Sequence, residues 1–378
     1  MNIQSYAMIG AAYINPTAYG DLSGWNEWVW ILSHVFGDQK FMTLFSIMFG
    51  AGIVLMSGRA EEKERRAAGL HYRRIFWLFV IGMMHAYLLW YGDILVTYAV
   101  CAILVFLLRK LSPPKLLLTG LVVLAVPALL YWLFGWSMQF WPPESVEGLR
   151  LSWKPGAEAI AKEITAYQSG WLDQMAQRAP TAFWFQTFLF LIFQSWRAGG
   201  LMLVGMALLK WGVLTAQRPL RFYRTMLAAG FVTGLPVVIY GVLRNFAAGW
   251  SLDYSMFFGW QFNYWGSLFM ASAYVGVVML ACQTKPLEKF TRPFAAVGRL
   301  ALSNYLLQTL ICTTIFYGHG FGLFGKVERA GQVLIVLAIW VVQLIVSPIW
   351  LRYFRFGPAE WLWRSLTYWK IQPMRNPV

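Results

Sequence analysis

Charge is what this sequence has least of. Only 12% of its 378 residues are Asp, Glu, Lys or Arg, about half of the roughly 25% found in an ordinary soluble domain. Carboxylates are scarcest, with 16 Asp and Glu against 31 Lys and Arg, a net charge of +15. The three cysteines, Cys101, Cys282 and Cys312, are odd in number and lack metal-ligand spacing, so neither a disulfide framework nor a zinc site is indicated and no metal is expected. There is no G-x-S-x-G, no P-loop and no H-E-x-x-H. The one formal G-x-G-x-x-G, "GFGLFG" at 320–325, follows an apolar helix with no strand before it, and reads as a turn. A cleavable signal peptide is not evident either, since Met1 is followed at once by polar Asn2 and Gln4.

What is present is apolar. Hydrophobic residues make up 59% of the chain and the mean hydropathy is +0.53. Runs of membrane-spanning length recur throughout, a helix needing roughly 20 residues to cross the ~30 Å hydrocarbon layer. The fold class predicted is all-α, a polytopic membrane helix bundle forming a single membrane domain over 1–378. Spans are expected near 41–57, 75–91, 94–108, 116–136, 184–209, 222–243, 262–282, 297–317 and 332–351. Residues 1–10 are apolar but too short to cross, and are expected to be the tail of a truncated first helix.

Nine spans permit a charge test, because cytoplasmic loops are enriched in Lys and Arg. One set of alternate loops holds most of the 31 basic residues. It runs through Arg59, Lys63, Arg65, Arg66, Arg73 and Arg74, then Arg109, Lys110 and Lys115, then Lys210, Arg218 and Arg221, with Arg224 just inside the next helix. Lys285, Lys289 and Arg292 follow, and the tail 352–378 adds Arg352, Arg355, Arg364, Lys370 and Arg375. That set is predicted to be cytoplasmic, with the C-terminus, so the excess charge faces anionic lipid and not nucleic acid. Segment 11–40, carrying Asp21, Glu27, His34 and Asp38, and the long loop 137–180, with an amphipathic run near 157–178, fall on the other side. In the tail, Trp361, Trp363, Tyr368 and Trp369 alternate with Arg364 and Lys370, which predicts a short interfacial helix.

Polar residues inside the spans are the candidate site. "GMMHAYLLWYGDILVTYA", 82–99, would sit in a helix about 51 Å long if 75–108 were continuous at 1.5 Å per residue, so Gly92-Asp93 must be a turn. Asp93 then stands where an N-cap belongs. His85 lies within the apolar zone, where an ionisable group either lines a pathway or bonds a neighbouring helix as a neutral imidazole. Arg197 falls near the middle of the 184–209 helix, where a charge costs roughly 3 kcal/mol. It calls for a bound anionic group, unless the helix breaks beside Gly199 and Gly200. Arg299 is near the cytoplasmic end of its span and either snorkels or meets an anion, and it pairs with Ser303 on one face. Asn304 and Gln308 share another face, suited to interhelical hydrogen bonds or to a substrate cavity. "GFVTG" at 230–234 has the spacing of a close helix contact, within the chain or in a homo-oligomer.

Four blocks, "KFMTLFSIMFGAG", "GMMHAYLLWYGDILVTYA", "GRLALSNYLLQTLICTTIFY" and "WLRYFRFGPAEWLWRSLTYW", give the chain a resemblance to the YeiB family of bacterial inner-membrane proteins, from residue 2 to about 370. Members begin with a further stretch before Asn2 that completes the first helix. The family is similar to transmembrane acyltransferases of the heparan-glucosamine acetyltransferase type, which carry an acyl group from cytoplasmic acyl-CoA to an acceptor on the far side. In those proteins a histidine near the extracytoplasmic end of the early helices is implicated, for which His85 and His34 are the candidates here. The resemblance thus implies acyl transfer, with His85 as base or acyl relay, Asp93 holding its tautomer, and Arg197 and Arg299 toward an acyl-CoA donor. The alternative is a transporter of a small anionic solute, with His85 coupling protons and Arg197 binding the anion. No convincing internal repeat favours it.

Overall fold

The computed structural model describes residues 2–62, 67–284 and 288–376, with the side chains of 288–290 excepted. Of the predicted basic set, Lys63, Arg65, Arg66 and Lys285, and the side chain of Lys289, lie outside the described residues. The described chain is helical throughout, with one isolated backbone bridge between Phe354 and Arg375. Its helices are α1 (Ile3–Ala7), α2 (Gly10–Ile14), α3 (Gly24–Phe36), α4 (Lys40–Glu61), α5 (Ala67–Met84), α6 (Leu95–Val105), α7 (Pro113–Ser137), α8 (Pro143–Trp153) and α9 (Ala157–Gln168). They continue as α10 (Met175–Trp184), α11 (Ser195–Lys210), α12 (Leu220–Ala247), α13 (Trp260–Gln283), α14 (Glu288–Arg299), α15 (Ala301–Phe316), α16 (Arg329–Tyr353) and α17 (Pro358–Tyr368). Three π-helical stretches, His85–Leu89, Phe185–Gln194 and Leu252–Gly259, adjoin α5, α11 and α13.

Among the described residues, six helical segments are long and apolar enough to cross a bilayer: Gly24–Glu61, which turns at 37–39, Pro113–Phe140, Met175–Lys210, Leu220–Ala247, Leu252–Gln283 and Arg329–Tyr353. Leu95–Leu108 and Ala301–Phe316 are apolar but shorter. Large side chains such as Phe45, Leu104, Val232, Leu334 and Ile345 are exposed on these helices. So much bare apolar surface marks a lipid-facing exterior.

The connections sort into two ends. At the basic end, Lys210 donates to the Leu111 carbonyl (2.8 Å), Gln283 to those of Ala216 and Arg218, and Trp363 of α17 to that of Arg74 (2.8 Å). At the other end, Trp171 donates to the Leu88 carbonyl, Trp153 to that of Trp250 and Asn15 to that of Trp153. Buried cations at this second end donate to backbone carbonyls. Arg329 donates to Pro16, Tyr19 and Asp21, and Lys40 to His34.

Several expectations are corrected. Segment 11–40 carries α3, which leads through 37–39 into α4, the helix that holds the span predicted at 41–57. The stretch 137–180 is largely helical, carrying α8, α9 and the start of α10. The predicted 297–317 span is broken at Leu300, so Arg299 and Ser303 do not share a face. The break has a cause: the Glu360 carboxylate of α17 accepts the first free amides of α15, Leu302 (2.6 Å) and Ser303 (3.0 Å), supplying from another helix the anion that a helix N-terminus favours. No break occurs at Arg197, where the helix runs unbroken from Met175 to Lys210.

Helices cross closely where glycine permits. A Cβ on Gly50 of α4 would lie 2.0 Å from the Met202 carbonyl oxygen, and one on Gly205 of α11 would lie 2.0 Å from that of Ile47. Gly230 and Gly234, the "GFVTG" pair, lie in the same way against Phe269 and Met270 of α13 in the same chain.

Candidate functional site

His85 opens the π turn that ends α5, and Asp93 lies in the short link before α6. A π turn widens the helix and often marks a functional position. Gly92 leaves room for the Trp90 ring, which a Cβ there would meet at 2.3 Å. The link folds back far enough for His85 Nδ1 to lie 2.9 Å from Asp93 Oδ1, both side chains no more than 1% exposed. Asp93 Oδ2 accepts the Val96 amide at 2.8 Å. One oxygen therefore caps the next helix and the other holds the histidine.

The other imidazole nitrogen is occupied too. His85 Nε2 lies 2.9 Å from Thr309 Oγ1 of α15, and that oxygen is 2.8 Å from the hydroxyl of Tyr6 on α1. The hydroxyl of Tyr305, one turn before Thr309, donates to Asp93 Oδ1 at 3.4 Å. A carboxylate only accepts, so in the neutral imidazole Nδ1 carries the proton and Nε2 is the acceptor. Thr309 then donates to Nε2 and Tyr6 donates to Thr309. The result is a directed chain, Tyr6 to Thr309 to His85 to Asp93. The Tyr6 ring stacks on Trp90 with centroids 4.2 Å apart.

This cluster is closed from the loop end. The π turn leaves carbonyls without helical partners, and the α9–α10 segment meets them. Arg178 Nε donates to Tyr87 and Trp171 Nε1 to Leu88, each at 2.8 Å. Tyr167 packs on Tyr317 and Phe324, and its carbonyl accepts the Gly318 amide. The half-buried Glu163 of α9 accepts the Gly10 amide (2.9 Å), and burial raises its carboxyl above the ordinary value despite that bond. An open depression of about 810 Å³ on α8, lined by residues including Trp141 and Arg150, shares none of the His85 residues.

Arg197 is placed in a separate cluster. It is fully buried, with Nη2 donating to Ser267 (2.7 Å) and Thr43 (3.1 Å), and its guanidinium is 4.4 Å from the Tyr264 ring centre. Its Nε is buried without a hydrogen-bond partner, and among the described residues no carboxylate lies within ion-pair distance of it. Nearby on α4, Lys40 donates to Asn263, which donates to Asp38, itself 3.3 Å from His34. Arg197 and His85 share no hydrogen-bond partner among the described residues. The other candidate histidine, His34, thus belongs with Arg197 and not with Asp93.

Arg299 is at the basic end, donating to the Arg355 carbonyl at 3.4 Å. Asn304 and Gln308 join α15 to α16. Asn304 donates to Ser347 (3.3 Å), Gln308 donates to Gln343 (2.8 Å), and Gln343 donates back to the Asn304 carbonyl. No group of three or more His, Cys, Asp or Glu side chains among the described residues is arranged to hold a metal.

Thr309, Tyr305 and Tyr6 went unmarked in the sequence. Threonine and tyrosine are unremarkable in apolar helices, whereas Asn304 and Gln308 of the neighbouring face carry the stronger polar signal. The available signal was the four-residue step from Tyr305 to Thr309, which puts two hydroxyls on one face.

An all-helical membrane-type bundle with a buried carboxylate–imidazole–hydroxyl chain is the class that fold and site define. Residues 208–370 match a family model described as "Protein of unknown function (DUF418)". The chain is similar to the uncharacterized protein YeiB of Escherichia coli (strain K12), with 33% identity over 97% of this chain and 91% of that one. It is also similar to the uncharacterized protein YxaH of Bacillus subtilis (strain 168), with 34% identity over 90% and 82% of the two chains. The chain belongs to the YeiB family. No solved structure matches it.

Proposed function

We propose that this chain is a bacterial inner-membrane acyltransferase that moves an acyl group from cytoplasmic acyl-CoA to an acceptor on the far side, with His85 as general base. One geometry carries this: an imidazole with a carboxylate 2.9 Å from Nδ1 and a hydroxyl 2.9 Å from Nε2. That is the base-and-orienter pairing of acyl-transfer sites, where the carboxylate fixes the tautomer and stabilises the imidazolium that forms on proton uptake. Nine spans fit this role, the six long helices being joined by Ala67–Leu89, Leu95–Leu108 and Ala301–Phe316. Basic loops and the α17 tail then face the cytoplasm and its anionic lipid. Arg299, at that end, is suited to the donor's phosphates, and the uncompensated charge of Arg197 to an anionic group of donor or acceptor.

Proton-coupled transport of a small anionic solute is the second reading, favoured by the complete burial of the same hydrogen-bonded chain. Thermal unfolding in detergent with acetyl-CoA, longer acyl-CoAs and free CoA separates the two. Ligand that binds only folded protein raises the midpoint, by about 2.7 kcal/mol of stability at a hundred times Kd. Acyl transfer requires a CoA-dependent rise that is diminished in Arg299→Ala or Arg197→Ala. No rise at saturating CoA, with intact protein, favours transport.

A further inference from the structure

We infer that Thr309 is the nucleophile that carries the acyl group between donor and acceptor, an inference that rests on the acyl-transfer reading and makes the reaction two-step. Its Oγ1 is the hydroxyl already in place, 2.9 Å from His85 Nε2. With the Nδ1 proton committed to Asp93, the Thr309 proton points at Nε2, the direction in which a nucleophile gives its proton to a base. Thr309 has a second acceptor in reach, the Tyr305 carbonyl at 3.3 Å, but one hydroxyl proton serves one acceptor fully. The unprotonated Nε2 is the better of the two, being nearer.

The bonds balance in both halves. In the first, Thr309 Oγ1 attacks the thioester carbonyl carbon, its proton passes to His85 Nε2, the C–S bond breaks, and CoA leaves as the thiol with that proton. In the second, an acceptor alcohol or amine gives its proton to Nε2 while its oxygen or nitrogen bonds the acyl carbon. The C–Oγ1 bond breaks and the proton returns to Thr309. Tyr6, 2.8 Å from Oγ1, donates to that oxygen as it becomes the leaving group, which is where negative charge develops.

Position gives a reason for a covalent carrier. Thr309 is the ninth residue of the sixteen in α15, midway between the basic end and the opposite end, and the 167–178 segment shuts the cluster from the latter. A carrier at that depth lets a donor from one side and an acceptor from the other react in turn, so that they need not meet. No other described hydroxyl is within hydrogen-bond distance of Nε2.

The test uses the full chain in detergent, given acetyl-CoA labelled in its acetyl group and, separately, 4-nitrophenyl acetate, with peptide mapping by mass spectrometry after quenching. The expected result is an acetyl ester on Thr309 in the wild type, on the serine hydroxyl in Thr309→Ser, and on neither Thr309→Val nor His85→Ala at this position. His85-dependent turnover without an ester on residue 309, or turnover retained by Thr309→Val, would overturn the nucleophile and leave general-base transfer standing, whereas an acetyl group on His85 itself would overturn both roles. If neither donor gives any His85-dependent adduct or turnover, acyl transfer itself fails and Thr309 with it. Should Thr309→Val not fold, the maps of the wild type and Thr309→Ser decide.

Discussion

Replacing Gly205 by Ala tests the packing on which the buried clusters depend. The new Cβ would stand 2.0 Å from the Ile47 carbonyl oxygen, about 1 Å inside the closest approach a Cβ tolerates, so α4 and α11 must part by about that much. A gap of 0.5–1 Å forfeits a quarter to a half of each van der Waals contact of ~0.1–0.2 kcal/mol. Over roughly thirty such atom pairs at the crossing, that is about 1–3 kcal/mol. Overpacking strain adds about 1–3 kcal/mol, and the better helix propensity of Ala returns about 1. The net expectation is a loss of about 2 kcal/mol, with the 3.1 Å Arg197–Thr43 bond stretched beyond reach because it joins the same two helices. Gly52→Ala and Gly58→Ala on α4 are the controls, since nothing lies within 4 Å of a Cβ at either position. The assay is the detergent unfolding midpoint of all three. A Gly205→Ala protein as stable as the controls would refute the close crossing.

Asp93→Asn keeps an oxygen for the Val96 amide but sets an amide beside Nδ1, favouring the wrong tautomer. Turnover should fall by roughly 10³–10⁴-fold, as in hydrolase triads, and an unchanged rate would remove Asp93 from the mechanism. Arg197→Met should leave the unfolding midpoint within about 1 kcal/mol, because a buried charge without an ion partner contributes little net stability and its hydroxyl neighbours keep other acceptors, Ser267 bonding Tyr264 and Thr43 bonding Gln39. A collapse of the fold would make Arg197 structural. Glu163→Gln has a pH signature. The folded carboxyl is raised above its ordinary 4.5, so its stabilising contribution is complete below that value and lost as pH rises through the folded value. The midpoint difference between Gln and Glu proteins should therefore grow in favour of Gln above pH ~4.5, and a difference independent of pH would contradict the buried latch.

How much was legible in the sequence follows from which physics each feature uses. Hydropathy marks where chain meets lipid, so the apolar runs were legible as helix, six of them lying in segments long and apolar enough to cross a bilayer, and the turn at Gly92-Asp93 followed from length alone. The break at Leu300 was not legible because its cause, Glu360, is 58 residues from the Leu302 amide that it accepts. In 137–180 the amphipathic run near 157–178 was legible, while α8 was not, being an amphipathic helix too short and too polar to register as a span. At the site, His85 and Asp93 stood out because charge in an apolar run is costly, and their proximity needed only a tight turn. Thr309 and Tyr6 did not stand out, since a hydroxyl buries cheaply and its meaning comes from a partner more than 200 residues distant. Likewise Arg197 announced itself as a cost, while its separation from His85 depends on how α4, α11 and α13 pack together.

The central claim is that His85 moves protons in an acyl transfer. Its most direct measurement is the rate of CoA release from acetyl-CoA by reconstituted vesicles holding a hydroxyl or amine acceptor, comparing wild type with His85→Gln at matched unfolding midpoints. A general base is worth about 10²–10⁴-fold. The expected result is a loss of that size. A His85→Gln protein that releases CoA at the wild-type rate would contradict the account.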